Sequence, residues 1–184
     1  MWRSDMQITP LAISEVLLLT PRVFADDRGY FMETYQEERL REAGLPAFVQ
    51  DNESCSRRGV LRGLHYQLAP HAQGKLVRVA RGAVWDVAVD LRRGSPTFGK
   101  WTGTTLSAAN HAMLWIPPGV AHGFLAIEDN TVFLYKCTAP YAPAAERGIR
   151  WNDPDLAIDW PESTAALVSA KDAALPFFRD AEIG

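Results

Sequence analysis

What most restricts the architecture of this chain is the spacing of its apolar runs. Each is short, and turn chemistry separates them: Asp27-Arg28-Gly29, Arg93-Gly94-Ser95-Pro96, Pro117-Pro118-Gly119 and Glu128-Asp129-Asn130. Strands are expected at 16–20, 31–35, 48–54, 60–67, 75–81, 83–91, 100–106, 113–116, 123–127 and 131–138. Within 83–91, Trp85, Val87, Val89 and Leu91 alternate with Val84, Asp86, Ala88 and Asp90, so one face is wholly apolar. Asp86 and Asp90 then read as a solvated strand face. Many short strands at this spacing predict a mainly β fold, a sandwich, jelly roll or small barrel. Helix is scarce. Residues 36–43 are charged and helix-prone, with Gly44 placed to end them. A second short helix begins near Ser169, where Ser169-Ala170-Lys171-Asp172 fits a capping box ending in an acid. Residues 141–161 read as an ordered loop packed on the barrel.

The chain has 184 residues and neither repeat nor linker, so a single domain over 1–184 is expected, with enough material for a sizeable core. A formal net charge of −3 argues against a nucleic-acid binder, whose affinity rests on phosphate contacts. Cys55 and Cys137 share no metal-ligand spacing, which suggests a reducing compartment without structural disulfides. Residues 1–5 precede no signal-like apolar core, and Leu17-Leu18-Leu19 is too short to span a bilayer. These features predict a cytoplasmic protein with no membrane partner.

The stretch Val60–Gln67 is where chemistry concentrates. It has the apolar residues of a strand, yet carries Arg62, His65 and Gln67. Histidine titrates nearest neutrality, and arginine offers a planar fork suited to phosphate oxygens. A general base also needs a partner that fixes its tautomer. Asp172, Asp86 and Asp90 are all candidates on spacing, Asp172 with a helix-capping role as its simpler explanation. Gln50-Asp51-Asn52 is a second polar cluster, with Gln50 and Asn52 on one strand face and Asp51 on the other. Lys75 opens a strand at a position usually solvated. Tyr135, between Leu134 and Lys136, reads as a core aromatic with its hydroxyl at the rim.

Arg62 and His65 pose a geometric problem. Three residues apart, they belong on opposite faces of a regular strand. If both enter one pocket, the strand must bulge, and Gly63 is the natural place. Four histidines are present, and a metal cupin clusters two of them one residue apart with a carboxylate close behind. This chain has His65-Tyr66-Gln67 instead, so His65 and His122 supply too few imidazoles for a metal site, and no metal or cofactor is expected.

Several motifs together resemble one family. They include Asp27-Arg28-Gly29-Tyr30-Phe31-Met32-Glu33, Gln50-Asp51-Asn52, Val60–Gln67, Gln73-Gly74-Lys75 and Asp86-Val87-Ala88-Val89-Asp90. Ser95-Pro96-Thr97-Phe98-Gly99, Ile116-Pro117-Pro118-Gly119-Val120-Ala121-His122-Gly123-Phe124 and Leu134-Tyr135-Lys136 continue the series, which ends in Trp151-Asn152-Asp153-Pro154 and Ser169-Ala170-Lys171-Asp172. Running in order from about residue 9 to 175, they are similar to the dTDP-4-dehydrorhamnose 3,5-epimerases.

The resemblance implies a cupin-like jelly-roll β-barrel with a few short helices, no metal, and a homodimer with strands exchanged between subunits. It also implies epimerisation at C3 and C5 of dTDP-4-dehydro-6-deoxy-D-glucose to dTDP-4-dehydro-L-rhamnose. On that resemblance His65 is the base oriented by Asp172, Tyr135 the acid, and Lys75 the cation at the enolate oxygen. Arg28, Arg62, Gln50, Asn52, His122 and Lys171 match residues that hold the nucleotide sugar, and Glu33 and Glu146 match further ligand positions. Tyr141 matches an aromatic that stacks on thymine, with Phe31 as a second wall; Pro140 before it departs from the family pattern. A mono-epimerase acting at one centre and a catalytically silent nucleotide-sugar binder are the competing readings, and a metal-dependent dioxygenase is a remote one.

Overall fold

The computed structural model describes residues 6–161 and 166–184; residues 1–5, read above for a signal sequence, lie outside them. The first strands are β1 (Gln7–Pro10), β2 (Leu17–Thr20), β3 (Val23–Asp26) and β4 (Gly29–Met32), followed by helix α1 (Glu37–Glu42). Then come β5 (Gln50–Ser56), β6 (Val60–Gln67), β7 (Lys75–Arg81), β8 (Ala83–Asp90), β9 (Trp101–Ser107), β10 (Met113–Ile116), β11 (Val120–Ala126) and β12 (Thr131–Cys137). Short β13 (Glu146–Gly148) and β14 (Leu167–Val168) precede α2 (Ala170–Ala173).

Two sheets face one another. One has the order β1-β2-β10-β7-β12-β5, the other β13-β6-β11-β8-β9 with β14 parallel on β6. β3 and β4 form a separate hairpin. Expected and observed bounds coincide for β6, β7 and β10. The strand expected at 31–35 is instead the second arm of the hairpin. Residues 141–161 are not all loop, because β13 pairs Glu146 with Gln67 on the edge of β6.

Strand β8 shows how the layers form. Val84 and Ala88 pack between the sheets with Val77, Leu106, Leu114, Ile116, Phe124 and Phe133. Val87 and Val89, on its other face, pack with Leu64, Tyr66, Ile149 and Leu156 under the C-terminal segment. Both faces of β8 are therefore buried, and the expectation of a solvated face at Asp86 and Asp90 fails: each is 0% exposed. Each buried Val or Leu side chain contributes about 1.5–3 kcal/mol toward holding the covering segments in place. A third cluster, with Leu40 and Leu45 on Leu19, Leu76, Met113 and Trp115, seats α1 on the outside of the first sheet. The α1 cap is local: the Gln36 side chain accepts from Arg39 N–H at 2.6 Å. Among the described residues no helix is long and apolar enough to cross a membrane.

Candidate active site

β6 carries the irregularity that its sequence demands. On neighbouring β11, Phe124 pairs with Arg62 and His122 with His65, so two steps on β11 span three on β6. The extra residue is a β-bulge, and it turns Arg62 and His65 to the same side. Gly63 takes φ +119°, and a Cβ on it would lie 2.6 Å from Gly123 Cα, so only glycine fits there. Its peptide bond to Leu64 is cis. Arg62 and His65 consequently line one cavity of about 460 Å³ with Ser54, Lys75, His122, Tyr135 and Asp172.

α2 presents Asp172 to that cavity. Ser169 caps the helix, its Oγ accepting from Asp172 N–H at 3.0 Å. The Asp172 carboxylate turns away from the cap. Oδ1 lies 2.8 Å from His65 Nε2, and Oδ2 accepts from Gly63 N–H at 3.2 Å. Asp172, rather than Asp86 or Asp90, is thus the partner of His65. Burial alone would raise its pKa, but the His65 ring, the Gly63 N–H and the Lys171 charge outweigh burial and hold the carboxyl below its ordinary value.

The opposite wall comes from the other sheet. Tyr135 on β12 pairs with Asn52 on β5 and Val77 on β7, and Cys137 pairs with Gln50 and Lys75. Directly opposed residues share a face, which sets Tyr135, Asn52, Gln50, Cys137 and Lys75 together. Gln50 Nε2 donates to Asn52 Oδ1 at 3.1 Å, while Asp51 points away and pairs with Lys136 at 2.8 Å, as the two-residue period predicts. Lys75 is half-buried rather than solvated, and burial pushes its pKa down, against the influence of Cys137, Asp86 and Glu146. Burial likewise raises the Tyr135 phenol. A proton-holding phenol and an ammonium that releases its proton more readily than usual thus face a carboxylate-held imidazole.

A second cavity, of about 300 Å³, adjoins the first and shares His65, Lys75 and Tyr135 with it. Gln50, Asn52, Tyr66, Gln67, Gln73, Tyr141 and Glu146 complete its lining. Tyr141 N–H donates to Gln50 Oε1 at 2.8 Å and its hydroxyl to Glu146 Oε2 at 2.8 Å; Lys171 Nζ reaches the same oxygen at 2.6 Å. Burial favours the protonated Glu146, but Lys171 and Tyr141 outweigh it and hold its pKa low. Gln67, read from sequence with the chemical groups of β6, is structural. It is buried, donates to His71 O at 2.6 Å and Pro140 O at 3.3 Å, and accepts from Ala142 N–H at 2.8 Å. It fixes the loop that carries Tyr141.

Of the expected residues, Lys171 lines neither cavity and reaches the second only through Glu146, and three more are not brought to either. Arg28, Phe31 and Glu33 line a groove of about 680 Å³ along the β3–β4 hairpin. There Arg28 pairs with Asp26 and Glu33 accepts from Arg39 Nη1 at 2.7 Å. Asp86 and Asp90 also have other duties. Asp90 accepts from Arg92 Nε at 2.8 Å, Ser95 Oγ at 2.5 Å and Thr97 Oγ1 at 2.6 Å, pinning the loop after β8. Asp86 Oδ2 lies 3.0 Å from His122 Nε2. Sequence reading missed Ser54, although it continues the Gln50, Asn52 alternation by one more step; its buried hydroxyl has no partner among the described residues. Among the described residues no group of three or more His, Cys, Asp or Glu side chains is placed to hold a metal ion.

Comparison with known proteins agrees with this geometry. Residues 10–180 match the family model of dTDP-4-dehydrorhamnose 3,5-epimerase. A dTDP-4-dehydrorhamnose 3,5-epimerase from Pseudomonas aeruginosa is 58% identical over 179 residues, covering 96% of this chain and 98% of that one. The structure of a dTDP-6-deoxy-D-glucose-3,5-epimerase from Legionella pneumophila in complex with dTDP-4-keto-L-rhamnose is 48% identical. It superposes with a TM-score of 0.92 over 96% of this chain and 94% of that one. A 3'-monoepimerase from Streptomyces bikiniensis in complex with dTDP-quinovose is 37% identical, with a TM-score of 0.87 over 91% of this chain and 86% of that one. Jelly-roll architecture, cavity and sequence together place the chain in the dTDP-4-dehydrorhamnose 3,5-epimerase family.

Proposed function

We propose that this chain inverts C3 and C5 of dTDP-4-dehydro-6-deoxy-D-glucose, giving dTDP-4-dehydro-L-rhamnose in dTDP-L-rhamnose biosynthesis, with neither metal nor cofactor. One observation carries the reading. A carboxylate-held imidazole, His65 with Asp172 at 2.8 Å, and a phenol, Tyr135, stand on walls from different sheets of cavities that also share Lys75. The C4 ketone acidifies the protons on C3 and C5. His65 removes one, the electrons move into an enolate whose oxygen faces Lys75, and Tyr135 returns a proton to the other face of the carbon. Preorganised donors at such an oxygen are worth about 3–4 kcal/mol. Asp172 keeps the proton of His65 on Nε2, leaving Nδ1 as the basic atom. A binding protein needs no acid and base on opposed walls.

In this reading Arg62, Gln50, Asn52, His122, Glu146 and Lys171 hold the nucleotide sugar, and Tyr141 stacks on the base. A homodimer and a single catalytic domain over 1–184 belong to the proposal. All four residues of β1 are exposed on a sheet edge, and the hairpin exposes Tyr30 at 58% and Phe31 at 67%. A second copy of the chain would cover both surfaces and bring Arg28, Phe31 and Glu33 toward a cavity they do not reach within one chain. The free cysteines Cys55 and Cys137 suit a cytoplasmic location.

The test is solvent exchange. In deuterated water, the 4-keto sugar nucleotide is expected to acquire deuterium at C3 and C5 with inversion at both. Inversion at one centre over a full time course would make the protein a mono-epimerase, the reading favoured by its likeness to the Streptomyces bikiniensis enzyme. Saturable binding with no exchange at either carbon would leave a silent binding protein.

A further inference from the structure

The wall of the first cavity carries a polar group that neither the fold nor the proposed mechanism uses. Ser54 Oγ is buried and has no hydrogen-bond partner among the described residues. Ser54 stands opposite Phe133 in the β5–β12 pairing, one same-face step from Asn52, which stands opposite Tyr135. The other hydroxyls of that wall are committed: Ser169 caps α2, and Tyr135 is the proposed acid. The same lining includes the apolar Val60, Leu61, Phe124 and Phe133, the last being the cross-strand neighbour of Ser54. Alanine would serve the fold better here, because a buried hydroxyl gives up its bonds to water and this one gains none in return. Arg62 lines the cavity too. Its Nε donates to Ser56 Oγ at 3.1 Å, and Ser56 is the next same-face residue after Ser54. The guanidinium is thus laid along the face that carries Ser54, with its two terminal nitrogens left for a ligand.

We propose that Ser54, beside Arg62, is a specificity-determining residue that reads the C2 hydroxyl of the hexose. The inference rests on the proposed function, which sets C3, C4 and C5 among His65, Lys75 and Tyr135. One same-face step along β5 is about 6.8 Å, which a hexose ring and its substituents span from a carbon held at Tyr135. The sugar offers few groups for such a partner. O1 carries the diphosphate, the C4 oxygen meets Lys75, C6 is a methyl, and the ring oxygen is a poor acceptor. The C3 hydroxyl changes ring face when C3 inverts, so a hydroxyl fixed on a strand could not hold it both before and after. The C2 hydroxyl lies next to the reacting C3 and keeps its configuration throughout. It can accept from Arg62 and bond Ser54 Oγ as donor or acceptor.

The test is calorimetric binding of two unreactive ligands, dTDP-6-deoxy-D-glucose and its 2,6-dideoxy counterpart, to wild type and to Ser54→Ala. Neither ligand has a C4 ketone, so neither turns over, and they differ only at C2. Wild type should bind the hydroxylated ligand about tenfold more tightly, the scale of one buried hydrogen bond. Ser54→Ala should cut that preference to about threefold or less by weakening the hydroxylated ligand alone, and should melt no lower than wild type, since the hydroxyl has no partner in the fold to lose. Equal affinities in wild type, which need no variant to measure, would overturn the proposal. So would a preference unchanged in Ser54→Ala, or a loss of affinity shared by both ligands. A lower melting temperature would also overturn it, by showing that the hydroxyl serves the fold. Failure of the wild-type protein to exchange C3 and C5 protons would instead sink the functional reading, and binding of the unreactive pair still decides Ser54.

Discussion

Asp172→Asn is the most informative single change, because the two polar contacts of that side chain fix its outcome. The carboxylate accepts from Gly63 N–H with one oxygen and holds His65 Nε2 with the other. An asparagine has one acceptor and one donor end. If its oxygen serves Gly63, its NH2 faces His65 Nε2, which must then accept. The imidazole proton moves to Nδ1, and the basic atom is lost. The flipped amide restores the tautomer but sets NH2 against the Gly63 N–H, leaving a buried donor unpaired at about 1–3 kcal/mol. The productive orientation is thus populated roughly 5–150-fold less than the unproductive one. Losing the charge-assisted bond to the imidazolium removes a further 1.5–3 kcal/mol or so from the proton-transfer step. Together kcat should fall about 10²–10⁴-fold, the range associated with general acid–base catalysis. Stability should change by only about 1–2 kcal/mol, because the Ser169 cap bonds the backbone of residue 172 and survives. The assay is deuterium incorporation into the 4-keto sugar nucleotide, with calorimetric melting of the same samples. A folded variant within tenfold of wild-type kcat would refute the assignment of His65 and Asp172 as a working pair.

Other changes probe other parts of the site. His65→Ala should cost kcat at least about 10²-fold with KM little altered, since Arg62 and the remaining anchors stay; near-wild-type turnover would place the base elsewhere. Asp90→Asn should lower stability at neutral pH by roughly 3–5 kcal/mol, the cost of breaking a buried, multiply bonded charge, with activity per folded molecule unchanged. Burial alone would raise the Asp90 pKa, but Arg92, Ser95 and Thr97 outweigh it and hold it well below the usual carboxylate range. Its contribution is therefore complete above about pH 4 and lost as pH falls toward the folded value, so the variant should show a shallower acid-unfolding slope; an unchanged slope would contradict this. Gln67→Ala should free the loop at Pro140–Ala142 and raise KM severalfold through Tyr141, with kcat nearly constant; an unaltered KM would show that the loop holds without it.

The sequence was most readable where local and global preferences agreed. Strands β6, β7 and β10 are dense in β-branched and large apolar residues and bounded by turn signals, and their ends were legible to the residue. The bulge at Gly63 was legible too, because one cavity cannot take Arg62 and His65 from a regular strand. Strands β1, β3, β13 and β14 escaped notice: each is four residues or fewer, and β1 is wholly exposed with Pro10 at its end. Nothing local marks Glu146-Arg147-Gly148 as a strand; its pairing with β6 makes it one. Partnership among acids was the harder question. Asp172 lies 107 residues from His65, and its capping position explains its presence equally well. Asp86 and Asp90 share one strand face and a spacing of four, yet one serves a histidine in the cavity and the other pins a loop. Their neighbours across the sheet make that difference, and periodicity does not report neighbours.

The paired glycines at the crossing of β6 and β11 bear on how this enzyme tolerates change. A methyl on Gly63 meets Gly123 Cα at 2.6 Å and His122 O at 2.7 Å, and a methyl on Gly123 meets Arg62 O at 2.8 Å. The nearest obstacle is main chain at both positions, so trimming a side chain, such as Leu64 with its Cδ2 3.0 Å from the Gly123 methyl, does not make room. Each position is closed by itself, and the two together form a block without compensating pairs. The irregular segment 62–65 that aims the base also includes Arg62 and lies against His122. Drift in sequence can therefore reshape the Tyr141 loop or the hairpin and alter what the cavity accepts. It cannot readily re-aim the imidazole, so descendants of this fold should diversify in substrate while keeping their proton chemistry.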